Sequence, residues 1–165
     1  MAIDLDLSNE DIAIIGGAIL WHDYYYDTTT PEIYATNEDR SALQAGSDLA
    51  KLGVSHEYIT AITAHIRETK HGSAQVPDHQ RSQVMHDIDM GILGSSASRY
   101  AQYAFRDIPA EFAPMIANRA DFHRARIDKF IRPTLDRVTE LFLTPYGREH
   151  FGSRAETNLR SEMTR

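Results

Sequence analysis

Ile12-Ala13-Ile14-Ile15-Gly16-Gly17-Ala18-Ile19-Leu20-Trp21-His22-Asp23-Tyr24-Tyr25-Tyr26-Asp27 is the stretch whose period decides the fold class. Ile12, Ile15, Ile19 and His22 recur three and four residues apart, which is one stripe of an α-helix. Upstream, Ser8 followed by Asp11 supplies a capping hydroxyl and early acids, both suited to a helix start. The apolar part is shorter than the roughly 20 residues needed to cross a bilayer. It follows Asp4, Asp6, Glu10 and Asp11, where a secretory signal would carry positive charge. These features point to a cytoplasmic chain with no membrane partner.

The same period continues downstream. Thr28-Thr29-Thr30-Pro31 reads as a loop, and Thr36 is expected to cap a second helix with apolar positions Ala42, Leu43, Leu49 and Leu52, closed by Gly53. Ser55 opens a third helix carrying Ile59, Ile62 and Ile66, which runs out near Lys70 and His71. Residues 72–77 read as a loop. Asp78 is expected to cap the helix that leads into Asp87-Ile88-Asp89-Met90-Gly91-Ile92-Leu93-Gly94. Ser96 to Arg106 reads as helix with Pro109 just after it, and Glu111 to Ile131 as a long helix that Pro133 ends or kinks. A turn at Pro145-Tyr146-Gly147 precedes a last helix through Ala155, Leu159 and Met163. No strand alternation, repeat or low-complexity linker interrupts this pattern, so the expectation is an all-α fold in a single helical domain over residues 1–165.

Composition narrows the function classes. With 42% hydrophobic and 25% charged residues the chain is globular in type,. It has no cysteine, which excludes disulfides and thiolate chemistry and suits a reducing compartment. A net charge of −7 without a Lys/Arg run disfavours a nucleic-acid polymer as partner and leaves room for a small phosphorylated molecule.

Several polar groups have the chemistry of a site. His22-Asp23 joins an imidazole to a carboxylate, a pair suited to Zn²⁺, Mn²⁺, Fe²⁺, Co²⁺ or Mg²⁺; a capped or salt-bridged helix end explains the same pair. Asp87 and Asp89 stand before Met90, Ile92 and Leu93, and a buried carboxylate there needs a partner. A metal ion is one, and solvent or an N-cap is the other. Lys70 and His71 close a helix, where cations complement the dipole or meet a substrate phosphate. His65 reads as a helix-face residue. In Asn37-Glu38-Asp39-Arg40-Ser41, capping accounts for Thr36, Asn37 and Asp39, and Glu38 is the candidate general base or metal-water partner. Tyr24 to Tyr26, Tyr100 and Tyr103 read as core and rim aromatics.

Taken in order, these stretches resemble one family. Ala18 to Asp27 is similar to the signature of predicted HD-superfamily metal-dependent phosphohydrolases. Asn37-Glu38-x-Arg40-Ser41-Ala42 is similar to the helix start that follows it there. Thr69-Lys70-His71 and Asp87-x-Asp89-x-x-Ile92-Leu93-Gly94 resemble the next two motifs, and Ala155-x-x-Asn158-Leu159-x-x-Glu162 resembles the C-terminal helix. The resemblance runs from about residue 18 to 163. It implies an HD-like helical bundle with a divalent metal ion held by His22, Asp23 and Asp89, with Asp87 as the alternative acid. Asp27 falls where a water-orienting acid stands in hydrolytic relatives.

The family's first metal-binding histidine lies on a helix well before the His-Asp pair, and this chain has no histidine before His22. The expectation is that the chain begins after that helix. Then His71, His65 or another subunit supplies the ligand, or the metal is weakly held or lost. A chain shortened at a core helix exposes apolar surface, hence the expectation of a homodimer. Two functions lead, ahead of an iron-dependent oxygenase, which would want more histidine ligands. The first is hydrolysis of a small phosphate ester or nucleotide, with Asp27 or Glu38 acting on water and Lys70, His71 and Arg40 on the phosphate. The second is a catalytically impaired HD-like binding or oligomerisation module.

Overall fold

Helices and turns make up all the regular structure among the described residues, as the all-α reading requires. The computed structural model describes residues 5–70 and 79–164. His71, residues 72–77 and Asp78 therefore lie outside the described residues. The chain divides into two compact units, Met1–His86 and Asp87–Arg165.

The first unit holds α1 (Asn9–Trp21), α2 (Pro31–Tyr34), α3 (Asn37–Lys51), α4 (His56–Glu68) and the larger part of α5 (Gln80–Asp89). α1 begins as its sequence indicates. Ser8 Oγ accepts the Asp11 N–H at 3.1 Å, and Asp11 Oδ2 accepts the Ser8 N–H at 3.0 Å, a reciprocal capping box. Arg81 of α5 reaches the Asp11 carboxylate and, at 3.5 Å, Glu10.

The stripe read from α1 is rotated in the structure. Ile14, Ile15 and Ala18 are buried, whereas Ile12 is exposed. The reason is the close approach of α4, since a Cβ added at Gly17 would lie 2.7 Å from Ile62 Cδ1. Ala18, Ala42 and Ala45 add further small side chains to a core completed by Ile14, Leu49, Ile62, Ile66 and Met85. Of the apolar positions read on this helix, Leu43 and Leu52 are among the exposed large hydrophobics, because α3 turns Ala42, Ala45 and Leu49 inward.

Both ends of α3 have local causes. The Thr36 side chain makes no capping bond; its hydroxyl donates to Ile33 O at 2.7 Å, because the short α2 stands before it. At the other end Gly53 takes φ +76°. Gly53 N–H donates to Ala50 O and Val54 N–H to Leu49 O, each at 3.0 Å, so a left-handed residue closes the helix in a Schellman motif.

The second unit opens with the last residues of α5, Asp87 to Asp89, which run on into a 3₁₀ turn (Met90–Gly94). α6 (Ala97–Gln102) runs through a π turn (Tyr103–Asp107) into α7 (Ile108–Glu111), and α8 (Arg119–Arg126) through another (Ile127–Ile131) into α9 (Arg132–Asp136). α10 (Pro145–Gly147) reaches α11 (Ser153–Met163) by a third (Arg148–Gly152).

The proline expectations change here. Pro109 and Pro133 sit inside continuing helical runs because a π turn precedes each. Ile108 N–H reaches back to Tyr103 O and Arg132 N–H to Ile127 O, five residues each. The wider turn moves the backbone out of register with the proline ring, which otherwise strikes the carbonyl four residues earlier. The Thr134 hydroxyl then donates to Phe130 O at 2.6 Å. The helix expected from Glu111 to Ile131 instead breaks around Pro114 and restarts at Asn118, whose side chain accepts the Ala120 N–H at 2.8 Å.

Leu93, Tyr100, Ala104, Ile131, Phe142, Ala155 and Leu159 form this unit's core, and buried polar groups fasten it. Asp87 accepts the Leu143 N–H at 2.7 Å, the Thr144 N–H at 3.0 Å and the Thr144 hydroxyl at 2.6 Å. Gly147 leaves room for that carboxylate, since a Cβ there would collide with Asp87 Oδ2. On α11, Asn158 donates to the carbonyls of Leu93 at 2.8 Å and Ser95 at 3.0 Å.

Two stability predictions follow. Asp87→Ala strands the donors of residues 143 and 144 and lowers unfolding stability by about 2–4 kcal/mol in urea titration; a loss below about 1 kcal/mol contradicts this role. Hydrogen bonds from Ser8 and Arg81 lower the Asp11 pKa from 3.8 to about 2. A carboxyl with a depressed folded-state pKa stabilises the fold above its unfolded pKa and stops doing so as pH falls through the folded one. Wild type should therefore lose more stability than Asp11→Asn between pH 4 and pH 2, measured by thermal unfolding. Parallel curves would rule this out.

Candidate functional site

His22 is the residue that ends α1, and its N–H still reaches Ala18 O at 2.9 Å. The ring is turned by one bond: Nδ1 lies 2.8 Å from Ile19 O. A carbonyl can only accept, so Nδ1 carries the proton and the neutral ring has its lone pair on Nε2. Nε2 stands 3.3 Å from Asp23 Oδ2, with Asp23 more open to solvent. An imidazolium–carboxylate pair has this spacing. So do two ligands of one cation, since atoms about 2.1 Å from a divalent ion stand about 3–3.5 Å apart. A backbone acceptor on the far ring nitrogen is also the usual support for a metal-binding histidine.

After Asp23 the chain turns back onto the start of α3, and two buried polar side chains hold it there. Asn37 Oδ1 accepts the Asp27 N–H at 3.1 Å, and its Nδ2 donates to Asp27 O at 3.2 Å. Ser41 Oγ accepts the Tyr25 N–H at 2.9 Å. Residues four apart share a helix face, so Asn37 and Ser41 grip the chain at alternate residues. Arg40 lies beside them, its guanidinium 4.3 Å from the Tyr25 ring centroid and 3.8 Å from Asp27 Oδ2. The Thr29 hydroxyl and amide, with Arg40 beyond, hold the Asp27 carboxyl below the usual carboxylate range. Asp27 is therefore an ionised acceptor and a poor proton acceptor near neutrality.

Glu38 differs, since its Oε2 is buried without a hydrogen-bond partner. Lys70 donates to Ala35 O at 2.7 Å, and Arg67 to Asp39 at 3.1 Å, so the end of α4 is tied to the start of α3. His65, read as a helix-face residue, is buried, with Nδ1 2.9 Å from Glu68 and 3.3 Å from Ser82.

The remaining candidates belong to the second unit. Asp87 is committed to residues 143 and 144 as described above. Asp89 ends α5 and is half-buried. Its charge acts on Tyr103, whose phenol is pushed upward in pKa first by burial. The structure thus brings His22 to Asp23 and Asp27 to Arg40 within the first unit. Among the described residues no group of three or more His, Cys, Asp or Glu side chains is gathered for one ion.

Comparison with protein-family models, with curated proteins and with solved structures gives no match.

The roles of Asn37 and Ser41 were hidden in a segment that capping alone could explain. The usable signal was two small polar residues four apart on a face continued by Ala42 and Ala45. If they hold the chain after Asp23, Asn37→Ala and Ser41→Ala should speed amide exchange at Asp27 and Tyr25 respectively by about 5–30-fold, with the α4 amides unchanged. Uniform acceleration, or none, would show that the grip is not local.

Proposed function

We propose that this chain is a metal-dependent phosphohydrolase of the HD type acting on a small phosphate ester or nucleotide. The observation that carries the reading is His22, protonated on Nδ1 by its bond to Ile19 O, with Nε2 3.3 Å from the Asp23 carboxylate. The ordered set of motifs from His22-Asp23 to Glu162 supports it. The donor set is an imidazole with carboxylates, which fits Mn²⁺, Mg²⁺, Zn²⁺, Fe²⁺ or Co²⁺. Asp89, which the resemblance adds to His22 and Asp23, enters on its sequence motif alone; Asp87 keeps its structural work. When bound, the cation supplies Lewis-acid polarisation of the phosphoryl group and acidifies water.

The chain's own residues divide the remaining work. Asp27, ionised and fixed by Thr29, Arg40 and Asn37, orients water. Glu38 has a spare acceptor oxygen and takes the proton. Arg40, whose fork is only partly used by Asp27 and the Tyr25 ring, meets the phosphate with Lys70 and, on the sequence motif, His71.

One observation favours the second reading, an HD-like binding or oligomerisation module. Leu20, Leu43 and Leu52 are 76%, 69% and 73% exposed, and exposed apolar side chains are what a partner or second copy would cover.

The two separate in one experiment. Phosphomonoesters and nucleotides are screened with Mn²⁺, Co²⁺ and Mg²⁺, alongside metal analysis of the purified protein. The hydrolase reading expects a stoichiometric ion lost in His22→Ala, and turnover reduced at least ~100-fold in Asp23→Ala and in Glu38→Gln. Turnover in wild type no higher than in Asp23→Ala ends it, and a metal-free, fully folded protein points to the module.

A further inference from the structure

The second unit contains a charged cluster that the hydrolase reading does not use. Glu162 on α11 has no solvent exposure. The Tyr100 phenol donates to its Oε2, and Arg126 Nε donates to its Oε1 at 2.9 Å. The Arg126 side chain is nine-tenths buried, with its guanidinium 4.9 Å from the Phe130 ring centroid and 5.6 Å from that of Tyr103.

Arg126 Nη2 is sealed from solvent and has no hydrogen-bond partner. The same holds for Nε2 of His123, about one turn earlier on α8, which stops 3.7 Å short of Glu162 Oε1. Glu162 therefore balances the guanidinium's charge without using all of its donors. Buried donors are almost always paired, and a guanidinium edge is shaped for the oxygens of a carboxylate or phosphate. His123 adds a second donor in its Nε2–H form.

Two features of the backbone agree. The π turns of this region begin at Tyr103 and at Ile127, the residue after Arg126, and such turns recur at functional sites. Apart from the nine-tenths-buried Arg126 side chain, the residues of α8 are half-buried or exposed, and the stretch before it, around Pro114, is not a continuous α-helix.

We propose that Arg126 and His123 form a binding site in the second unit for a small oxyanion, a phosphate or carboxylate group. The site stands independently of the metal reading.

Inorganic phosphate and acetate, titrated separately into the full chain in chelator-treated buffer and followed by amide NMR, test it. Saturable shifts centred on residues 100–105 and 119–131 are expected with at least one of the two anions, and which one saturates identifies the oxyanion. Arg126→Lys keeps a charge opposite Glu162 but loses the fork, and His123→Ala alters a partly exposed side chain, so the second variant remains informative if the first fails to fold. Each folded variant should bind at least tenfold more weakly, while His22→Ala binds as wild type does. Absence of saturation with either anion, or wild-type affinity in His123→Ala and in any folded Arg126→Lys, overturns the proposal.

Discussion

The chain leaves α1 at His22-Asp23 and must be held where it turns back, and the first unit's candidate chemistry depends on that hold. Asn37 and Ser41 supply it by accepting the Asp27 and Tyr25 amides inside the fold. Backbone groups taken from water need such partners, and here the partners are side chains on one face of α3. Arg40 on the same turn then comes to lie over Tyr25 and beside Asp27. The dense polar start of α3 is thus a fastening for the preceding segment.

The second unit follows the same principle with a carboxylate. Asp87 holds residues 143 and 144 at the entry to the helical run that ends in α11. Asn158 then seals the carbonyls of Leu93 and Ser95, and Glu162 binds Tyr100 and Arg126. The spacing Ala155, Asn158, Leu159, Glu162 consequently has a packing explanation of its own: two residues enter the core and two satisfy buried polar groups. A motif that suggests a family by its order can therefore be maintained by the architecture alone, and chemistry must be argued from groups left with something to offer. Glu38 Oε2 and the unused edge of Arg126 are such groups.

The all-helical class was legible because period, caps and breakers agree locally. Ser8 with Asp11 and the left-handed Gly53 act within a few residues of where they stand, so their reading carries into three dimensions. Errors arose where a distant partner decides. The buried stripe of α1 is set by Ile62 across Gly17, which no local period reveals. Pro109 and Pro133 stop no helix because π turns absorb them, and nothing in those residue types marks a π turn. At the site, the His-Asp pair was visible as chemistry, but its ring orientation depends on the carbonyl of Ile19. Asp87 was visible as a carboxylate requiring a partner; the partner proved to be backbone more than fifty residues away.

The central claim is that His22 offers Nε2 to a divalent cation beside Asp23 while Nδ1–H stays on the Ile19 carbonyl. Proton NMR of the chain with one equivalent of Co²⁺ tests it most directly. The account predicts a strongly shifted, slowly exchanging imidazole N–H resonance assigned to His22 and absent from His22→Ala. A wild-type spectrum without that resonance would contradict the account.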